Sequence, residues 1–461
     1  MGKTKRTAAI LIVISAAIIY CIPPVGPMDR EAMRAAALVV FAIGFWATGA
    51  LPEHLTSLFF VLLAIISKVA PPKVVLSGFY SSAVWLVFGG IVLAAAVQKT
   101  GLGRRIAQWL LGSMVSSYPG VITGIVLLTM LFGFFIPSTM GRVVLLIPVV
   151  TAMADRLGFA EGRPGRDGMI MAAILACYVP SCAVLPANVP NMVAAGAAES
   201  LYDLPFSYGY YLKLHFPVVG LMKGFLLIIL ACLMFPDRLH SEPSTIEKKM
   251  APFSHNERVL AVILFLTLLL WGSDFIHGVS PAWVALAAGL VCMLPFVGVM
   301  KGGDAGQTVN YNPFFYVAGV LGMGAVVNDT GLGDTIGRGI IGLIGFEPGH
   351  DMRNFFSLVL FATALGPITT SPGIPAVLAP LSADLATATG FPLMTVLMTQ
   401  VIAFSTILLP YQVPPVVVGM QLGRVSMLTG TRLILALAGV SILLLLPLNY
   451  LWWSLLGLFT P

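Results

Sequence analysis

The chain has 461 residues, 58% hydrophobic and 10% charged, with mean hydropathy +0.96. That composition excludes a water-soluble globular domain. The net charge of +6 comes from basic residues scattered at helix ends without interleaved aromatics, which excludes a nucleic-acid surface.

Lipid admits only segments that satisfy their own backbone, so the chain reads as an all-α, multi-pass membrane protein. Apolar runs and breaker residues predict about 11 transmembrane helices. Lys3-Thr4-Lys5-Arg6 before an apolar run imitates a signal peptide. No convincing small-residue cleavage site follows, so the run reads as an uncleaved first helix near 8–22. Helices follow near 33–50, 55–70 and 83–98. A pair of half-length runs, 120–136 and 142–154, meets at a polar turn. A long segment, 169–198, is interrupted at Pro186-Ala187-Asn188-Val189-Pro190-Asn191, and a helix near 212–235 closes the first half. A polar cytoplasmic linker, 236–258, carries Asp237, Arg238, Lys248 and Lys249. The second half runs 259–273, 281–299, 313–327, a second half-length pair at 354–368 and 374–388, a second interrupted segment at 393–420, and a last helix near 431–458.

The five cysteines fall in or beside apolar segments without a CxxC, and read as packing residues. The six histidines form no HExxH. The polar turn of the first pair, Pro137-Ser138-Thr139-Met140-Gly141-Arg142, places an arginine among apolar neighbours. A charge at membrane depth costs several kcal/mol and marks a functional site by default. The bland alternative is an arginine that snorkels to the interface or pairs with a backbone carbonyl.

The two halves repeat. Val97-Gln98-Lys99-Thr100-Gly101-Leu102-Gly103 matches Val327-Asn328-Asp329-Thr330-Gly331-Leu332-Gly333, and Gly89 aligns with Gly319. Ser138 aligns with Thr370, and Leu185-Pro186-x-x-Val189-Pro190 with Leu409-Pro410-x-x-Val413-Pro414, in the same order at nearly constant offset. Residues 1–235 and 259–461 then form two repeats, with re-entrant hairpins at 120–154 and 354–388. A cytoplasmic N-terminus puts basic residues inside over outside by about two to one. The second hairpin then enters from the opposite side to the first, which is an inverted repeat.

In inverted-repeat transporters such breaks meet near the midplane and form the substrate site. Helix N-termini there suit an anion. The candidate substrate-binding residues are Ser138, Thr139 and Arg142 at the first tip, Asn188, Pro190 and Asn191 at the first break, Thr370 and Ser371 at the second tip, and Gln412 and Pro414 at the second break. Ser371 before Pro372 reads as an N-cap with proline at the first helical position. Proline breaks also serve plain packing, and Ser/Thr often bond their own backbone.

The chain resembles the divalent anion/sodium symporter family of carboxylate and sulfate transporters over nearly its whole length. Trp46-Ala47-Thr48-Gly49-Ala50-Leu51-Pro52 with Thr56 is similar to the family's W-x-T-E-A-x-P…T segment, with Gly49 in place of Glu. Phe88-Gly89-Gly90 through Lys99-Thr100-Gly101-Leu102 is similar to its F-G-G…K-T-G-L segment. The resemblance implies a homodimer in the lipid bilayer, each protomer with a scaffold and a transport domain that moves like an elevator. It also implies Ser-Asn-Thr tips that touch sodium and a substrate carboxylate. By position these become Ser138, Thr139 and Met140, and Thr370, Ser371 and Pro372, so both asparagines are missing. The sodium candidates are Ser138, Thr139, Thr370 and Ser371. The first tip looks more like the exchanger branch, whose tip reads P-S-T-T-A-R.

The expectation is therefore a secondary transporter of a small anion, a di- or tricarboxylate ahead of sulfate, in the bacterial inner membrane, with sodium as the only cofactor to consider. Other readings are a sodium-coupled sulfate symporter, a cation/proton antiporter of the same superfamily, and a membrane enzyme with Tyr202-Asp203 and Gly302-Gly303-Asp304 as its aspartates.

Overall fold

The computed structural model describes residues 3–24, 26, 28–112, 117–239, 252–300 and 304–460. All regular structure among them is helical. Eight helices are long and apolar enough to cross a membrane, or up to ten if each bent pair counts as one span. Two further apolar helices are shorter. Glu53–Ile66 has 14 residues and Pro281–Met293 has 13, and at about 1.5 Å per residue neither covers the bilayer core.

The chain breaks between helices at both expected tips and at both expected interruptions. The first hairpin is Tyr118–Phe135 and Thr139–Arg156. The second is Asp351–Thr369, then Gly373–Leu378, a tight turn at Ala379–Leu381, and Ser382–Thr389. The first interruption separates Pro164–Tyr178 from Val189–Tyr202, and the second separates Leu393–Phe404 from Pro414–Gly423. Proline at the start of each second half-helix fits, because the missing N–H has no intrahelical acceptor there.

The repeated T-G-L-G motif has a local cause that periodicity alone did not reveal. Gly101 and Gly331 adopt left-handed φ of 78° and 66°, which stops one helix and turns the chain into the next. The helices that follow, Leu102–Gly112 and Leu332–Ile344, are the most one-sidedly apolar of the molecule. The second of these lies at 79° to Asn312–Asp329.

Close backbone crossings hold the helices Ser82–Thr100 and Asn312–Asp329 in place. Gly89 sits against the Ala285 carbonyl and Gly319 against Ser57. Each crossing joins a helix of one half to a helix of the other. Gly90 in turn leaves room for Pro137, seating the first tip.

Residues 240–251 of the expected linker, with Ser241, Lys248 and Lys249, lie outside the described residues, as do Lys301, Gly302 and Gly303. The linker's described ends are anchored. Asp237 pairs with Arg163 and accepts the Gly165 N–H at 3.1 Å. Burial alone would raise its carboxyl, but hydrogen bonds from Arg238, Arg163 and Gly165 outweigh that and hold it below the usual range. On the other side Ser254 and Glu257 form a capping box, and Glu257 pairs with Arg105 at 2.7 Å.

Candidate functional site

The first tip begins with a cap. The Ser138 hydroxyl oxygen accepts the Gly141 N–H at 3.1 Å and starts the helix Thr139–Arg156. One turn on, Arg142 points back into the protein and is fully buried. Its Nη1 donates to the Ile136 carbonyl. Its Nη2 donates to the Cys177 carbonyl at 2.7 Å, the Ser181 hydroxyl at 2.9 Å and the Ala187 carbonyl at 3.2 Å. Longer contacts reach Thr139 Oγ1 at 3.3 Å and Asn188 Oδ1 at 3.4 Å.

Cys177 lies in the last turn of its half-helix, where carbonyls lack partners and the dipole is negative. A guanidinium is the natural cap for such a cluster, with several donors in a fixed fork. The fork that the sequence aimed at a carboxylate is spent on main-chain oxygens. Arg142 supplies fixed charge and joins the tip to the break.

The two breaks and the second tip converge on the same place. Thr139 donates its hydroxyl proton to Asn188 Oδ1, and Asn188 Nδ2 donates to the Tyr178 carbonyl at 3.2 Å. The Tyr178 hydroxyl donates to the Phe404 carbonyl at 2.8 Å, across to the second break. The Ser371 N–H donates to the Gln412 carbonyl at 3.0 Å, and Gln412 Oε1 accepts the N–H groups of Leu408 and Leu409 at 2.7 Å each. Asn191 Nδ2 donates to the Val184 carbonyl at 2.8 Å. Pro190 is buried in the first turn of its half-helix, and Pro414 is half-buried in the matching position.

Ser371 departs from its expected capping role. Its hydroxyl makes no cap, and only its carbonyl accepts, from the Ile374 N–H at 3.3 Å. Thr370, a non-glycine residue at φ 68°, turns the chain sharply at the tip. Strain of this kind persists only where the surroundings enforce it, and it concentrates at functional sites. Three buried oxygens here have no partner: Thr370 Oγ1, Ser371 Oγ and Asn191 Oδ1. An unpaired buried hydroxyl or amide costs about 1–3 kcal/mol, so these atoms suit a polar ligand.

Sodium does not fit the first tip. The Ser138 oxygen is used by its cap and the Thr139 hydroxyl by Asn188. The nearby carbonyls already face a positive guanidinium. Among the described residues no group of three His, Cys, Asp or Glu side chains could hold a metal ion. Of the aspartates weighed for an enzyme, Asp203 is the exposed left-handed cap of Val189–Tyr202. Gly302 and Gly303 fall outside the described residues.

Residues 3–459 match the family described as the sodium:sulfate symporter transmembrane region. The protein belongs to that family. This is the family whose resemblance the tip and repeat motifs carried, and it makes the chain a multi-span membrane transporter. Relatives within it are distant. The sodium-dependent dicarboxylate transporter SdcS of Staphylococcus saprophyticus is 20% identical, over 85% of this chain and 80% of that one. The L-tartrate/succinate antiporter of Escherichia coli is 23% identical, over 82% and 79%. The chloroplastic dicarboxylate transporter 1 of Spinacia oleracea is 24% identical, over 72% and 60%. Among solved structures, the Alcanivorax borkumensis YdaH transporter shares the fold with TM-score 0.54 at 14% identity, covering 99% of both chains.

Ser181, Tyr178 and the carbonyls of Ile136, Cys177 and Ala187 take part in the hydrogen-bond network around Arg142 and Asn188 and were missed from sequence. Backbone acceptors leave no residue-type signal. Ser181 had one, because the offset from Pro186 to Pro410 also carries Ser181 to Ser405.

Proposed function

We propose that the protein is a sodium-independent exchanger of small organic dianions, most simply dicarboxylates, in the bacterial inner membrane. The carrying observation is Arg142, buried at the meeting point of one tip and one break and bonded mainly to neutral oxygens. A dianion in low dielectric needs compensating charge. Two helix N-termini provide roughly half a charge each, and Arg142 adds a permanent unit. A carrier with built-in charge returns slowly when empty, which favours exchange over net uptake. The relatives named as dicarboxylate transporters and as an antiporter support the substrate class and the mode.

In this reading the substrate meets the Ser371 and Thr370 hydroxyls, which are buried, unpartnered and able to donate to a carboxylate, with Thr139, Asn188 and Gln412 behind them. Ser138 and Pro414 are the half-buried members of the set, facing the route of entry. The site residues are closed in, so transport requires the tips to move, as in an elevator carried by a homodimeric scaffold. The two repeats, 1–235 and 259–461, supply one tip and one break each.

Ser371→Ala is expected to weaken substrate affinity roughly tenfold, the loss of one hydrogen bond to a charged group, and Thr139→Ala is expected to weaken it less steeply, by releasing Asn188 behind the substrate. Pro148→Ala, in the helix beyond the tip, is expected to change affinity less than twofold. Ligand-induced thermal shifts with a panel of dicarboxylates, tricarboxylates and sulfate measure all three and name the substrate. Equal losses at all three positions would mean general destabilisation rather than a site.

Orientation is tested separately. With the N-terminus cytoplasmic, single cysteines at Ser241 and Gly349 in a background lacking native cysteines are expected to label from opposite faces, Ser241 from the cytoplasm. Labelling of both from one face would remove the two-fold scheme.

A further inference from the structure

The second break has its own buried cation. Lys223 is 3% exposed, in the middle of the long apolar segment Tyr208–Met234. A π-helical stretch, Phe216–Met222, immediately precedes it. One extra residue per turn of this kind re-aims side chains and is frequent at functional sites. The Lys223 ammonium donates to the Ser405 carbonyl at 2.9 Å, the Ser405 hydroxyl at 3.1 Å and the Thr406 hydroxyl at 2.9 Å. All three of its protons are used, and no carboxylate pairs with it among the described residues. Ser405 caps the C-terminal end of the half-helix Leu393–Phe404, the negative end of its dipole.

This arrangement mirrors the first break. The repeat offset takes Ser181 and Cys182 to Ser405 and Thr406. Arg142 donates to Ser181 and Lys223 donates to Ser405. The Tyr178–Phe404 hydrogen bond joins the residues beside the two caps. The two cations differ in residue type and come from different elements, one from a hairpin tip and one from the last long segment of the first half. Two unrelated side chains thus donate to the repeat-equivalent hydroxyls of Ser181 and Ser405, while their other acceptors differ. A lysine placed only to pack its stem would not show that correspondence.

Half-helix C-termini and unwound carbonyls are where transporters of this architecture hold coupling cations. We propose that the Lys223 ammonium fills such a cation position at the second break, so that its removal leaves a site for sodium. Beside the amine lies a cavity lined by Val218, Thr363, Thr406, Ser441 and Asn449. Ser441 and Asn449, which line it, each have a buried oxygen without a partner, Oγ and Oδ1. Lys223 then adds positive charge for a bound dianion beyond that of Arg142 and the two helix N-termini. That consequence rests on the exchange reading above, while the filling of the position does not.

The test needs neither substrate nor transport. Purified wild type, Lys223→Ala and Lys223→Ser are melted in detergent while sodium chloride replaces choline chloride at constant ionic strength. Each variant is expected to gain a saturable, sodium-specific rise of roughly 2–4 °C over the wild-type response. Adding Ser405→Ala and Thr406→Ala to Lys223→Ala is expected to abolish that gain. A folded variant whose sodium response equals that of wild type overturns the proposal. If the variants aggregate in choline but are monodisperse when extracted in sodium, the proposal stands; aggregation in both overturns it. Sodium dependence of wild-type counterflow would count against the exchange reading alone, because the variants' added response is measured against wild type.

Discussion

Arg142→Gln is expected to lower dicarboxylate counterflow in proteoliposomes by at least about a hundredfold while the protein still folds. Two effects combine. The substitution removes a full positive charge from a site closed to water, where each hydrogen bond to a charged group is worth about 1.5–3 kcal/mol. It also strips partners from the carbonyls of Ile136, Cys177 and Ala187 and from Ser181. Glutamine keeps two donors, enough to hold part of the link between tip and break but not the charge. Wild-type counterflow is expected to survive replacement of sodium by choline. Full activity of Arg142→Gln, or strict sodium dependence of wild type, would sink the fixed-charge reading. Arg142→Lys separates charge from geometry: a partial recovery above glutamine is expected, because lysine restores the charge without the planar fork.

A large effect on folding is expected at Gly89. A Cβ there would lie 2.3 Å from the Ala285 carbonyl oxygen and 2.4 Å from its carbon. Both obstructing atoms are backbone, so no side chain can swing away. Gly89→Ala must push apart the helices Ser82–Thr100 and Pro281–Met293, at a cost expected to reach about 3 kcal/mol or more. Gly319→Ala meets the Ser57 side chain at 2.4 Å and is expected to cost less. Gly339→Ala meets nothing within 4 Å and is expected to be neutral or slightly stabilising in its helix. Fluorescence-detected size exclusion after heating ranks the three. A Gly89→Ala protein as stable as Gly339→Ala would contradict the crossing.

The legibility of the site varied residue by residue. Ser138 announced itself as a cap because it precedes a helix whose third N–H it can reach, which is a local matter. Ser371 carried the same signal before Pro372, yet its hydroxyl bonds nothing. Its N–H is drawn to the Gln412 carbonyl in the other break, and the left-handed Thr370 sets the tip's direction. Asn188 and Gln412 were matched by repeat position but do different work. Asn188 bridges Thr139 to Tyr178, whereas Gln412 folds back on Leu408 and Leu409.

What the amino-acid order determined alone was everything set by period and composition. Apolar runs dictated the helices, prolines and glycines their breaks, and the repeated motifs the correspondence between halves. Lipid enforces these rules locally, because each backbone group must find its partner within the segment. Only the tertiary structure decided where the charges point. Arg142 reads from sequence as an isolated cation at membrane depth, and Lys223 lies in the middle of an apolar segment. Their partners, Cys177 and Ser181 for one and Ser405 and Thr406 for the other, lie far along the chain. A long cationic side chain takes its direction from whichever buried oxygens packing delivers to it, and those oxygens are largely backbone atoms that every residue carries.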